Sequence, residues 1–143
     1  MARYIYSKVD PKRLLHIVHD ITETKDTRED IVPPNHFLQI ATICLKKDQT
    51  FKAHKHIWND FDGPKIAQES WIVIKGRVEA LLYDLDDSLL EKVILYAGHF
   101  SITLEGGHNY IGGHEEGSLV YEVKTGPYMG IEMDKEFINV KGV

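Results

Sequence analysis

The amino-acid sequence predicts an all-β fold in which about eight short strands close into one antiparallel barrel. Short apolar or alternating runs recur along the chain between turn residues, and long stretches with the period of a helix are absent. The 143 residues suit a single domain, and 43% of them are hydrophobic, which is enough for one core without disulfide bonds. A barrel of about eight strands encloses side chains or one small ligand.

The N-terminal segment, residues 1–36, is predicted to contain one strand and one loop. Residues 14–21 (LLHIVHDI) follow Asp10-Pro11 and are rich in β-branched side chains, which favours a strand over the alternative of a short helix. Residues 22–34 are polar and charged and end in Pro33-Pro34, so we expect a loop.

The barrel core is predicted to lie within residues 37–128, followed by a C-terminal tail of residues 129–143. Turn residues separate the strands, most clearly in the segment Asn-Asp-Phe-Asp-Gly-Pro at 59–64 and at Gly76. Pairs of runs on either side of short turns indicate successive hairpins. The predicted strands, in chain order, cover residues 37–45, 50–57, 68–75, 77–84, 89–95, 100–104, 108–111 and 118–124.

Composition argues against two classes of partner. The net charge is −5 and the chain has no stripe rich in Lys or Arg, so nucleic acid is not expected. No run reaches the length of a membrane span, and residues 1–10 lack the apolar stretch of a signal peptide. The single cysteine, Cys44, has no internal disulfide partner, which fits a cytoplasmic protein.

Two histidines separated by one residue are the first indication of a metal-binding or catalytic site. Because side chains alternate along a strand, His54 and His56 share one face and Lys55 points to the other. Their Cα atoms should lie about 6.5–7 Å apart, which lets both imidazoles reach one metal ion. If this face lines the barrel interior, two buried histidines need a proton or a metal to share.

Two further residues could complete such a site. Glu69 lies on the next predicted strand with Trp71 and Val73 on its face, and a carboxylate buried there needs a cation. His108 follows a Gly-Gly turn near the end of the chain and could supply a fourth ligand. Each of these residues taken alone would be an ordinary strand or loop residue, and only the ordered set is informative. The other histidines, His16, His19, His36, His99 and His114, show no such pattern.

The ordered set resembles the two motifs of the cupin superfamily. His54-Lys55-His56, with Glu69 and then Gly76, is similar to the first motif, G(x)5HxH(x)3–4E(x)6G. Gly98 through Gly106-Gly107-His108 is similar to the second, G(x)5PxGxxH(x)3N. In metal-binding cupins the corresponding residues bind the ion, so the resemblance implies a cupin-type jelly roll and the ligands His54, His56, Glu69 and His108.

The sequence departs from these motifs in three places. Twelve residues separate His56 from Glu69, the glycine before the first histidine is absent, and the second motif lacks its proline. Because the longer gap leaves the strand register open, either Gln68 or Glu69 could face inward.

A site of three histidines and one glutamate would leave positions for substrate on one divalent ion, which could be zinc, iron, manganese or nickel. The segment 121–128 resembles the tail of cupins found among bacterial surface-polysaccharide genes. The resemblance therefore implies a small oxygenated substrate, such as a sugar or nucleotide sugar, and a role in polysaccharide biosynthesis. Both isomerisation or epimerisation and iron-dependent dioxygenase chemistry are compatible with such a site.

Two other functions remain open. One is a metal-free sugar isomerase in which His54 or His56 is the general base, assisted by Tyr110 or Tyr121. The other is a non-catalytic module that binds a small ligand. Trp58, Phe61 and Tyr110 are expected near the pocket mouth, where they could stack on a sugar ring or cap the core. A homodimer formed through an N-terminal edge strand would cover an exposed edge.

Overall fold

Twelve β-strands make up most of the computed structural model, which describes residues 2–60, 63 and 65–139. The described strands are β1 (Ala2–Tyr6), β2 (Leu14–His19), β3 (Arg28–Asp30), β4 (Leu38–Leu45), β5 (His54–His56), β6 (Glu69–Lys75), β7 (Arg77–Tyr83), β8 (Leu89–Tyr96), β9 (Phe100–Thr103), β10 (Gly107–Gly112), β11 (Ser118–Thr125) and β12 (Lys135–Phe137).

Ten of these strands form two antiparallel sheets of five. One sheet has the order β3-β4-β11-β6-β9 and the other has the order β12-β5-β10-β7-β8. The inward side chains of both sheets form the main apolar core, whose fully or nearly buried members are Ile43, Leu45, Trp71, Val73, Val78, Ala80, Leu95, Tyr110 and Val120. A second, smaller cluster contains Ala53, Tyr83 and Ile138. This arrangement confirms the predicted all-β antiparallel barrel.

Alternation along the strands determines which residues enter this core. In β6, Glu69, Trp71 and Val73 are buried. A tight turn at Gly76 then leads into β7, with φ at +80°. A Cβ atom on Gly76 would lie 2.6 Å from Ser118 Oγ and 2.9 Å from the carbonyl oxygen of Gly117. Both the positive φ and the close approach of β11 therefore require glycine here.

The N-terminal segment is more structured than predicted. Residues 14–19 form strand β2, as predicted, and pair with β1 in a separate two-stranded sheet. The prediction that residues 22–34 form a loop is wrong in part, because Arg28–Asp30 pairs with β4 as strand β3. A short edge strand is stabilised mainly by backbone hydrogen bonds to its neighbour. The polar composition of residues 28–30 therefore does not indicate a strand.

The C-terminal segment also joins the barrel. After one helical turn, α1 (Ile131–Asp134), strand β12 pairs with β5. Strands β3 and β12 therefore add to the two sheets from outside residues 37–128. The predicted strand 50–57 is shorter than expected and is regular only at His54–His56, with Thr50 in an isolated bridge to Ile111.

Helices are scarce in the described part of the chain. They comprise α1 and one 3-10 turn at Ile21–Glu23. No helix within the described ranges has the length and apolar character needed to cross a membrane.

Candidate metal centre

Four side chains from three strands converge inside the barrel. His54 and His56 come from β5, Glu69 comes from β6 in the opposite sheet, and His108 comes from β10. One nitrogen or oxygen of each residue lies within 4.8 Å of those of the other three. His56, Glu69 and His108 are buried, and His54 is half-buried at the edge of the group. We refer to these four residues as the His/Glu cluster.

Pairing between strands determines this convergence. His108 lies opposite His54 in the β10–β5 pair, so the two imidazoles meet on the interior face. The Nζ atom of Lys55, on the other face of β5, lies 2.8 Å from Asp87 and 3.2 Å from Glu136. Glu69 is only 4% exposed, so it is Glu69 and not Gln68 that faces inward.

Two of the three short distances within the His/Glu cluster match those between ligands of one ion, and the third is a hydrogen-bond distance between His56 and Glu69. His56 Nε2 is 2.8 Å from Glu69 Oε2, His108 Nε2 is 3.1 Å from His54 Nε2, and His108 Nε2 is 3.6 Å from Glu69 Oε1. Atoms bound about 2.0–2.2 Å from one metal ion are separated by about 3–4 Å. The cluster is therefore close to the geometry that a divalent ion requires.

The outer nitrogens of the three imidazoles are held by oxygen atoms. Nδ1 of His54 lies 3.2 Å from the carbonyl of Lys52, and Nδ1 of His56 lies 3.3 Å from the carbonyl of Asp134. Because a carbonyl only accepts, both Nδ1 atoms donate, and in the neutral rings both Nε2 lone pairs point inward. Nδ1 of His108 lies 2.8 Å from the Thr103 hydroxyl. Histidines that bind metals are commonly oriented by such outer hydrogen bonds.

Burial and charge set the protonation of the cluster. Burial alone would raise the pKa of Glu69, but the hydrogen bond with His56 and the nearby histidine charges hold this pKa well below its usual range. Burial lowers the pKa of His54, and it lowers the pKa of His108 to about 4. Burial also acts to lower the pKa of His56, but hydrogen bonds with Asp134 and Glu69 outweigh it and raise the value to about 9.

With these pKa values, the metal-free cluster at neutral pH contains the Glu69 carboxylate, the neutral imidazoles of His54 and His108, and the imidazolium of His56. One proton of His56 then lies between His56 and Glu69. A divalent cation at the centre would take the place of that proton and would satisfy the inward lone pairs. The donor set therefore fits a divalent metal of the zinc, iron, manganese or nickel type.

A cavity of about 580 Å³ adjoins the cluster, with His54 and Glu69 in its wall. This volume is within the range of small-molecule sites. The other lining residues come from both sheets and from the loops beside them. Aromatic members are Phe51, Trp71, Tyr110, Tyr128 and Phe137, and charged members are Arg28, Asp30, Lys52, Glu122, Lys124 and Lys135.

A charged pair that the sequence did not suggest also faces this cavity. Arg28 of β3 donates two hydrogen bonds to Glu122 of β11, at 2.8 and 3.2 Å. Glu122 is 8% exposed because it shares the inward face of β11 with Val120. The alternation along β11 could have identified Glu122, whereas Arg28 and Asp134 carried no sequence signal.

Of the aromatic residues predicted near the pocket, the described part of the chain places Tyr110 in the cavity wall. Tyr110 is buried, stacks on Trp71 with ring centroids 3.9 Å apart, and lines the cavity. Trp58 is 59% exposed and donates to Glu105 at 3.1 Å, so it is not placed in the cavity wall. Tyr121 lies on the outer face of β11, where its hydroxyl is 3.1 Å from His19, and is not brought to the cluster. Phe61 lies outside the described residues.

Comparisons with known proteins identify the fold. No family model matches the sequence, and no curated protein matches it. Among solved structures, a double-stranded β-helix protein from Klebsiella pneumoniae is similar with 15% identity and a TM-score of 0.63, over 86% of this chain and 97% of that chain. The cupin domain of Schizosaccharomyces pombe Cnp3 has 10% identity and a TM-score of 0.58, over 87% and 82%.

A recombinant oxalate oxidase in complex with glycolate is also similar. It has 18% identity and a TM-score of 0.51, over 65% of this chain and 44% of that chain. At these identities the likeness concerns the fold alone. The chain has the cupin fold, a double-stranded β-helix, as the resemblance in its sequence implied.

Proposed function

We propose that this protein is a metal-binding cupin in which His54, His56, Glu69 and His108 hold one divalent ion. The observation that carries the proposal is the convergence of four potential ligand atoms within 4.8 Å of one another at the wall of a cavity. Three of the four residues, His56, Glu69 and His108, are buried, and burial of unpaired polar groups is costly.

A bound ion would supply Lewis acidity toward a substrate oxygen and lower the pKa of bound water. The residues of the chain would orient the ligands and line the substrate site. Carbonyl groups at Lys52 and Asp134 orient two imidazoles, and Trp71 Nε1 donates to Glu69 Oε1 at 2.9 Å and so fixes the carboxylate. The aromatic walls offer surfaces for the apolar face of a sugar ring and exclude water from it.

The substrate that this cavity fits best is a small oxygenated metabolite, such as a sugar or nucleotide sugar. The volume, the aromatic walls and the polysaccharide-type resemblance of residues 121–128 support this class. Isomerisation or epimerisation and iron-dependent dioxygenase chemistry are both compatible with it. A role in polysaccharide biosynthesis is part of the same proposal.

The experiment that tests the proposal is metal analysis of purified protein. The protein is stripped with a chelator, reconstituted separately with zinc, iron(II), manganese and nickel, desalted and analysed for metal content. We expect close to one equivalent of at least one metal per chain. Less than a tenth of an equivalent of every metal would contradict the proposal. Sugar isomerase activity in stripped protein that His54→Ala abolishes would instead favour the metal-free isomerase.

We also propose a homodimer in a reducing, cytoplasmic compartment. Among the described strands β1 pairs with β2 alone, and the hairpin they form exposes Tyr6, Leu15 and Val18. A second copy that covers this hairpin would remove both the free strand edge and the apolar surface. Light scattering coupled to size exclusion should give twice the chain mass of 16.4 kDa, and a strictly monomeric peak would contradict the dimer.

A further inference from the structure

Most charged groups around the cavity have a partner of opposite charge. Arg28 is paired with Glu122 and with Asp30 at 2.8 and 2.9 Å. The Nζ atom of Lys124 is 3.4 Å from an oxygen of Asp134. The acidic residues in the cavity wall are therefore all engaged: Asp30 and Glu122 pair with Arg28, and Glu69 belongs to the His/Glu cluster.

Two lysines of the cavity wall have no acidic partner among the described residues. They are Lys52, two residues before β5, and Lys135, the first residue of β12. In the described part of the chain, the side-chain contact of Lys52 is with an aromatic ring, and Lys135 makes no ion pair. Lys52 is exposed at the cavity mouth and Lys135 is half-buried, so two ammonium groups without an acidic partner line one side of the cavity and favour an anion beside them.

Strand register places Lys135 beside the cluster. It lies opposite His56 in the β12–β5 pair. Its neighbour Glu136 points away and pairs with Lys55 on the outer face. Alternation therefore gives Lys135 and Phe137 the interior face of β12.

Lys52 reaches the same region from the adjacent chain segment. Its Nζ atom lies 4.4 Å from the centroid of the Phe137 ring, a cation–π distance. The same ring contacts the imidazole of His54, with centroids 6.5 Å apart. Lys52, Phe137 and Lys135 thus form one continuous surface next to His54, which we call the lysine wall.

We propose that the lysine wall binds an anionic oxygen group of the substrate, a carboxylate or a phosphate, while the sugar-like body of the substrate faces the His/Glu cluster. This inference rests on the proposed function and narrows it to acidic sugars. A cluster with one carboxylate and a divalent ion would itself carry net positive charge, which adds to the preference for an anion. Charged groups in such a cavity also attract the ligand before contact.

The test compares three probes on metal-loaded protein by calorimetry at low ionic strength: D-glucuronate, D-glucose 6-phosphate and D-glucose. We expect at least one anionic probe to bind at least about 10-fold more tightly than glucose, with an affinity that falls as salt is added. The stronger of the two anions identifies carboxylate or phosphate as the recognised group. Equal affinities for all three, or no binding of either anion at millimolar concentrations, would overturn the proposal.

Substitutions of Lys135 test whether the preference for anions comes from the lysine wall. Lys135→Met should lower the affinity for the anionic probe at least about 10-fold and change the affinity for glucose less than about 2-fold. Lys135→Arg keeps the positive charge and should restore much of the lost affinity. Lys92→Met, at an exposed position on β8, is the matched control and should bind as the wild type does. Equal losses for anion and glucose in Lys135→Met would mean that this lysine only supports the fold, against the proposal.

Metal content is measured on the same samples. Metal binding without a preference for anions would contradict the lysine wall and leave the metal site standing. Anion binding that depends on Lys135 in protein that takes up no metal would support the wall and contradict the proposed metal function.

Discussion

The identity of each residue in the His/Glu cluster can be tested one position at a time. Glu69→Gln keeps the size of the side chain but removes its charge, and His54→Ala leaves a gap beside His108. Because the first variant removes the anionic ligand and the second removes a ligand nitrogen, both should lower metal affinity at least about 10-fold, a scale that changes outside the ligand shell already reach. Competition titration with a chromogenic chelator measures the affinity.

The controls for these variants come from neighbouring positions. Lys55→Ala and Gln68→Ala should leave metal affinity within about 2-fold of the wild type, because Lys55 points to the outer face of β5 and Gln68 precedes the buried carboxylate. A severe loss in Gln68→Ala with a mild loss in Glu69→Gln would mean that β6 is shifted by one residue.

Tryptophan fluorescence offers a second reading at the residue scale. Trp71 donates to the Glu69 carboxylate and is 3% exposed, whereas Trp58 is mostly exposed and hydrogen-bonded to Glu105. Metal binding should therefore change the emission of Trp71. Trp58→Phe should keep the metal-induced change and Trp71→Phe should lose it. A response that disappears only in Trp58→Phe would place the site near the loop after β5.

The residues of the cluster could be predicted from the sequence because their order, the His-x-His pair and the six residues between Glu69 and Gly76 match a known pattern, although the gap from His56 to Glu69 does not. The choice between Gln68 and Glu69 could not, since it depends on register, which the structure resolves through the burial of Glu69. Lys135 and Asp134 escaped prediction for a different reason. They reach the site only because β12 pairs with β5, a contact between segments some eighty residues apart that local pattern does not encode.

At the scale of elements, the β6–β7 hairpin depends on Gly76. Gly76→Ala combines a positive φ with a Cβ atom too close to Gly117 and Ser118, and both effects destabilise the fold. Gly98→Ala is the matched control, because Gly98 also has a positive φ, +90°, but open space around its Cβ position. We expect Gly98→Ala to cost about 1–2 kcal/mol and Gly76→Ala clearly more. Chemical denaturation measures both, and equal costs would contradict the close approach.

The elements that sequence predicted best are those with long alternating runs, such as β6, β7 and β11. Their burial follows a period of two, except at the end of β7, where the register shifts between Leu82 and Tyr83. The shortest strands were missed or misjudged, because three residues of backbone pairing, as in β3 and β12, leave almost no pattern in the side chains. Predicted boundaries elsewhere agree within one or two residues apart from the 50–57 segment, whose first half is irregular.

At the scale of the whole molecule, metal binding should be coupled to folding. The four ligands come from strands of both sheets, so the site exists only in the folded barrel. An ion that binds the native state alone at 100 times its dissociation constant stabilises that state by about 2.7 kcal/mol. For a chain of this length the midpoint of thermal unfolding should then rise by roughly 10 °C. Differential scanning calorimetry of stripped and reconstituted protein measures the shift.

Acid should abolish that stabilisation. Protons compete with the metal for the imidazoles, so the metal-dependent rise should be large at pH 7.5 and should vanish as the pH falls toward 4. In the metal-free protein the raised pKa of His56, about 9, adds stability that is present below the unfolded value near 6.5 and is lost as the pH rises through 9. Added metal should therefore extend stability on the alkaline side as well. Glu69→Gln is the control, and a 10-fold weaker site should give a metal-dependent rise at most about half that of the wild type. A rise of equal size in wild type and Glu69→Gln would mean that the ion binds elsewhere on the chain.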